Sequence, residues 1–318
     1  MLDVSCRSIV TIQIVFLICA LSVANASGQA RTPPSRTRQI TVITEPNADV
    51  SIDGVNYGTT SAAGALDLPM VPAGRKTIRV RASGFSEARK ALLPAQTGKV
   101  SIPLTKTTDK AELSFQSGLR LSLLDREKAI AAYKEAASLR PGYTDAYIEL
   151  ARTYSDKGDI ENALKAIEQA RRSHPGSSEV SAIEGRLFKA IGEEEKAIAA
   201  FKNAIKEGGG FQPEAYTGLG MLYKERAEND AGSGDIAGEA RNYTEAERYF
   251  RIAIDQLSGS EDSVTLYQLL GLIFEEQKKP AKAIALYEEF LKLFPENLES
   301  EALRSFIVQL KKQYPNLK

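Results

Sequence analysis

Cysteine is almost missing from this chain of 318 residues: Cys6 and Cys19 are its only two, and His174 is its only histidine. Zinc and other soft metals need several such ligands, so no metal site is expected. His174 stands in the turn Ser173-His174-Pro175-Gly176, where histidines are usually solvated, and no plausible set of catalytic partners accompanies it. A Walker A loop, a GxSxG elbow, a Rossmann glycine cluster and an HExxH pair are all missing too. The chain therefore reads as a non-enzyme, with no catalytic residue and no cofactor. An excess of one charge is also lacking, since Lys plus Arg and Asp plus Glu both total 41. Proteins that bind polyanions carry a basic surplus, so nucleic acid is not an expected partner.

Long apolar runs are confined to the start. Arg7 precedes the apolar stretch Ile9 to Val23, and Ala24-Asn25-Ala26 comes next with the small-x-small pattern of a secretory cleavage site. The run is shorter than the roughly 20 residues that span a bilayer. Residues 1–26 are thus expected to be a signal peptide cleaved after Ala26, leaving no transmembrane helix. The alternative is anchoring by an uncleaved N-terminal helix. Ile18 before Cys19 departs from a bacterial lipobox, which takes Gly or Ala there. Cleavage removes both cysteines, and an exported chain without disulfides must rely on core packing. The expected location is the bacterial envelope, periplasmic or at the cell surface, or secreted.

Residues 27–38 (SGQARTPPSRTR) are polar and read as a flexible tether. From 39 to 105 the pattern alternates with period two. Strand candidates are Thr41-Val42-Ile43-Thr44, Val50-Ser51-Ile52, Ile78-Arg79-Val80-Arg81 and Val100-Ser101-Ile102. Turn signals at Pro46-Asn47, Asp53-Gly54, Pro72-Ala73-Gly74 and Ser83-Gly84 separate them. Short strands with frequent turns indicate a small antiparallel β-sandwich. The stretch Ala48-Asp49-Val50-Ser51-Ile52-Asp53-Gly54, with Gly58-Thr59-Thr60, Pro72-Ala73-Gly74, Arg79-Val80-Arg81 and Gly84-Phe85, resembles the PEGA domain, a module of bacterial and archaeal surface and signalling proteins. Asn47 stands where that family usually has Gly, and Asn tolerates a left-handed turn. The resemblance implies an accessory or interaction module without enzymatic activity. The polar stretch 106–110 reads as a linker that leaves the orientation of this module relative to the rest of the chain open.

Ala129, Ala163 and Ala197 recur at intervals of 34 residues inside the phrases EKAIAAYKEA, ENALKAIEQA and EKAIAAFKNA, and TEAERYFRIA and AKAIALYEEF continue the series. A fixed period of that length marks an all-α solenoid of helix pairs. In the second copy Tyr147, Leu150, Ala151 and Tyr154 share one helix face, Gly158 ends that helix and Asp159 can cap the next. These positions, with Ala163, Ala170 and Pro175, resemble the tetratricopeptide repeat. The resemblance extends to five repeats over 110–297, and 298–318 supplies an amphipathic capping helix, so the fold class is a β-sandwich followed by a superhelical α-solenoid. Two departures stand out. Gly208-Gly209-Gly210 replaces a closing Pro and suggests a hinge, and about 14 extra residues around 227–241 read as a flexible surface loop.

The family's concave groove is lined by the first helix of each repeat. The resemblance assigns to it Phe115, Leu119, Ile148, Arg152, Ala182, Arg186, Lys189, Thr217, Met221, Lys224, Gln268 and Leu272. Arg152, Arg186, Lys189 and Lys224 then form a basic strip suited to an extended peptide or an acidic segment. With Ile148 and Arg152 at the clamp positions, the Lys/Asn carboxylate clamp of chaperone-binding repeats is absent. The expected function is an exported scaffold that binds a partner protein or peptide in the groove, with the β-module contacting the envelope. The alternative is a surface-attachment protein whose β-module binds cell-wall glycan and whose repeats act as a spacer.

Overall fold

A computed structural model describes residues 37–315; the expected signal peptide and the tether up to position 36 lie outside the described residues. Seven strands open the fold: β1 (Thr37–Ile43), β2 (Asp49–Ile52), β3 (Val55–Thr59), β4 (Ala65–Pro72), β5 (Lys76–Arg81), β6 (Ala88–Leu92) and β7 (Gly98–Ser101). They form two sheets, ordered β4-β1-β7 and β3-β2-β5-β6. Alternate side chains turn inward, as period two requires. Ile40, Val42, Val50, Ile52, Ile78, Val80 and Val100 are all buried in one core between the sheets. The sandwich departs from an all-antiparallel arrangement at one place, because β1 and β7 run parallel, Ile40 to Ile43 against Gly98 to Ser101. Between them the chain passes through the second sheet, which supplies the crossover a parallel pair needs. Asn47 takes φ 54°, the left-handed turn conformation expected of it. Strand β1 starts at Thr37, inside the stretch that reads as a tether.

Ten helices follow as five antiparallel hairpins. These are α1 (Lys110–Leu121) with α2 (Arg126–Leu139), α3 (Thr144–Asp156) with α4 (Ile160–Ser173), and α5 (Ser178–Ala190) with α6 (Glu194–Glu207). Then come α7 (Pro213–Ser233) with α8 (Ile236–Leu257), and α9 (Val264–Glu276) with α10 (Pro280–Leu293). The second helices start at side-chain caps where the sequence offers Asp: Asp125, Asp159 and Asp235 accept from the amides of Lys128, Asn162 and Gly238. Four of the five hairpins close an aromatic ring onto a bare backbone, and the second has Ala151 and Ile167 in those places. A Cβ on Gly185 would lie 2.6 Å from Phe201, and one on Gly220 would lie 2.7 Å from Phe250. A last helix, α11 (Ser300–Gln313), covers the end of the stack by burying Ile307 and Leu310.

Two sequence expectations are corrected here. The extra residues of the fourth repeat are helical: they lengthen α7 to 21 residues and α8 to 22. Ala227 is fully buried at the lengthened contact, and the Tyr243 hydroxyl donates to Glu276 at 2.8 Å. Only the turn at Gly234 (φ 83°) interrupts the pair. The triple glycine is a tight turn, not a hinge. Gly210 N–H donates to Ile205 O at 2.8 Å, and Gln256 Nε2 donates to Gly210 O at 2.7 Å while its Oε1 accepts from Gln212 N at 2.9 Å.

The β-module is seated on the array, so the polar linker does not leave its orientation free. Arg81 of β5 pairs with Asp145 at the start of α3, and Arg79 lies 3.6 Å from the same carboxylate. Gln116 of α1 donates to Phe85 O at 2.7 Å and accepts from Gly84 N at 2.8 Å, so one amide side chain holds both edges of the β5–β6 turn. Beyond α6, Lys76 sits 4.5 Å from the centroid of Phe211. The Ser260 hydroxyl, just before α9, donates to Asn56 O at 2.6 Å. Val55 of β3 is buried within the apolar core of the last repeats.

Candidate functional site

Helices α1, α3, α5, α7 and α9 carry the groove positions, and their side chains meet different fates along the array. Phe115 is fully buried between Tyr133 and Tyr143, at centroid distances of 5.7 and 5.0 Å. The Arg81 guanidinium covers its ring at 4.7 Å. Leu119 is part-buried against the same core, and Ile148 and Ala182 are buried. Thr217 and Met221 line a cleft beneath the β-module. At the far end Leu272 stays half-exposed and Gln268 donates to Glu299 of the chain before α11.

The basic strip exists in sequence but not as open positive charge. Arg152 donates to Glu179 at 3.1 Å and to Glu214 at 2.9 Å. Burial works against its charge, yet Glu214, Glu179 and Glu149 outweigh that and hold its pKa above the usual arginine value. Arg186 lies 3.8 Å from Glu214, Lys189 lies 2.5 Å from Glu225, and Lys224 pairs with Glu228 one turn on. Each cation thus faces a carboxylate supplied by its own helix or by a neighbouring repeat. Burial pushes the Glu149 carboxyl up, with Arg152 opposing. An acidic partner segment would have to compete with these carboxylates, most easily at Arg186, whose Nε and Nη2 have no hydrogen-bond partner.

What the sequence did not reveal is the second wall. The β2–β3 turn at Asp53–Val55 and the residues Arg75 and Lys76 stand opposite α3, α5, α7 and α9 and enclose a cleft of about 980 Å³. Its floor is apolar, with Phe211, Met221, Leu266 and Leu269. Two of its charges are spoken for: Lys76 pairs with Asp53 at 3.0 Å, and Arg152 is bound as above. A second, polar cavity of about 550 Å³ lies where Arg79, Arg81 and Glu87 approach Asp109, Asp145 and His174. Among the described residues no group of three His, Cys, Asp or Glu side chains is arranged to hold a metal. No helix among them is long and apolar enough to cross a membrane.

Comparison with known proteins agrees with this layout. Residues 37–108 match the PEGA domain, and residues 125–187 and 232–297 match the tetratricopeptide repeat. Among solved structures, yeast Tom70 superposes with a TM-score of 0.51 at 18% identity, covering 65% of this chain and 41% of its own. A thermophilic TPR protein of Thermus thermophilus gives 0.45 at 18% identity over 63% of this chain and 98% of its own. MamA gives 0.41 at 21% identity over 60% and 94%. At these identities the likeness speaks for fold alone. No curated protein matches the sequence.

Proposed function

We propose that this chain, a PEGA domain leading into tetratricopeptide repeats, is an exported, non-enzymatic scaffold that holds an extended segment of a partner protein on the concave face of its repeats. The observation that carries this reading is the cleft of about 980 Å³ between the β-module and α3 to α9. That volume lies at the upper end of the range for ligand sites, roughly 300–1,000 Å³. A floor of Phe211, Met221, Leu266 and Leu269 offers aliphatic contact, while Arg75 and Asp262 contribute charge of both signs. Such a surface fits a peptide with apolar side chains better than a strongly acidic one. The groove positions Arg152, Arg186, Lys189 and Lys224 then act through their glutamate partners, shaping the wall instead of gripping the ligand.

Export rests on the Arg7, Ile9–Val23 and Ala24-Asn25-Ala26 pattern. The PEGA domain is associated with proteins outside the cytoplasm, which supports the same location. Envelope contact falls to the outer face of β4-β1-β7, where Thr41 and Asp67 are joined by a 2.6 Å hydrogen bond and Lys99 is exposed.

The test is selection of displayed linear peptides on the full chain, followed by titration against Met221→Glu and Leu269→Glu. Peptides that bind the parent and lose at least about tenfold in affinity, or roughly 1.4 kcal/mol, on both variants support the cleft. Selected peptides that bind parent and variants alike refute it.

A further inference from the structure

We propose that the concave face of the array is itself a receptor site for a PEGA sandwich, and that this chain's own domain occupies the site in cis through contacts that hold without the covalent link. The occupant is this chain's β-module, and three separated anchors carry the argument. At the first repeat, Gln116 pairs with the backbone at Gly84 and Phe85 much as a neighbouring strand would. At the second, the cations Arg79 and Arg81 converge on the single carboxylate of Asp145. Arg81 is also flanked by Glu87 at 2.5 Å, and its side chain is only 12% exposed. At the far end, Ser260 takes up the Asn56 carbonyl and Val55 enters the apolar core of the last repeats.

Charge, hydrogen bonding and apolar burial therefore all match across this contact. None of these anchors lies in the linker. The linker backbone follows the module instead, with Thr107 N–H donating to Gly84 O at 2.9 Å just after Ser86 N–H donates to Thr105 O at 2.8 Å at the module's own end. Coverage is also selective. Phe115 and Ile148 are shut away near the anchors, whereas Leu272, beyond the last one, remains half-exposed. An external partner thus finds the space beside the module, and one that needs Asp145 or Gln116 must displace it. This inference does not depend on what fills the neighbouring cleft.

The experiment starts from the full chain carrying a protease site at Thr107–Thr108. After cutting, the two pieces are expected to co-elute on gel filtration run at concentrations well above the dissociation constant. Arg81→Glu is expected to separate them, and Arg81→Glu with Asp145→Arg to restore co-elution. Released module, labelled and returned in trans, should bind the cut array after the original module has been exchanged away. The uncut chain should bind it about a hundredfold more weakly if the released module binds with a dissociation constant of about 10 µM. The factor arises because a short linker supplies an effective concentration on the order of millimolar. Separation on cutting, with both pieces keeping their native circular dichroism, overturns the proposal. So does equal trans binding by cut and uncut chain, or elution of the uncut chain as a dimer, which would place the module in a second copy.

Discussion

Arg81, on the fifth strand of the sandwich, reaches across 64 residues of sequence to pair with Asp145 in the first turn of α3. Burial alone would raise the Asp145 carboxyl, but Arg81 and then Arg79 outweigh it and hold its pKa below the ordinary value of 3.8. A depressed carboxyl stabilises the folded chain above its unfolded pKa and loses that contribution as pH falls through the folded value. Glu149 nearby works in the opposite sense, because burial raises its carboxyl. Glu87, Arg89 and Tyr143 complete the surroundings. The stability difference between parent and Asp145→Asn, measured by urea unfolding, should stay level from about pH 5 to 8 and shrink below about pH 4. A difference that grows in acid would contradict the pairing.

Phe201 is wedged between two helices at their glycines: a Cβ on Gly185 would meet it at 2.6 Å and one on Gly218 at 2.2 Å. In an exposed helix Gly→Ala gains about 1 kcal/mol from propensity. Here overpacking opposes it, typically by about 1–3 kcal/mol. Gly185→Ala is therefore expected to lower stability, while Gly142→Ala, with nothing within 4 Å of its added Cβ, stays near neutral. Adding Phe201→Leu to Gly185→Ala should recover part of the loss. Thermal denaturation of the four chains decides the point.

The lengthened helices α7 and α8 make a prediction for proteolysis. A free loop over 227–241 would be cut at many sites. Two helices packed through the buried Ala227 and Tyr243 leave only the turn at Gly234–Asp235 outside helical backbone. Brief digestion with a low-specificity protease, read by mass spectrometry, should nick that turn and leave the rest of the segment whole. Early cleavage throughout 227–241 would restore the loop reading.

The repeat architecture was legible because it rests on local signals that recur. The alanines at 129, 163 and 197, the capping Asp159 and the helix-ending Gly158 all behave as their types predict. The register also survives the insertion: Gly185 meets Phe201 16 positions on, while Gly220 meets Phe250 30 positions on, longer by the 14 inserted residues. The inserted stretch itself was misread because its glycines, Asn and Asp look like loop chemistry. Helix propensity was overridden there by packing against the neighbouring repeat, at Ala227 and Tyr243. Strands β3, β4 and β6 escaped for a related reason: Gly58, Pro69 and the charged pair Arg89-Lys90 blur the alternation. The basic strip was visible as residue types. Its neutralisation was not, since Arg152 finds Glu214 only after 62 residues of solenoid have been wound. The β-module on the groove left no local signal, because Arg81, Gln116 and Ser260 are unremarkable until the fold brings them to their partners.

The most direct test of the seated β-module is a disulfide trap. A Cβ built on Gly259 lies 3.3 Å from the Met70 Cβ, close to the roughly 3.5–4.5 Å that disulfides span. With Cys6 and Cys19 replaced by Ser, the chain carrying Met70→Cys and Gly259→Cys has no other thiol. Gly259 sits at φ 76°, so the cysteine there is strained, but a seated module holds the pair together. Mild oxidation is predicted to form the bond within one chain, seen as a loss of two hydrogen atoms by mass spectrometry and a faster band on non-reducing gels. Two free thiols after oxidation, with the chain otherwise folded, would contradict the account.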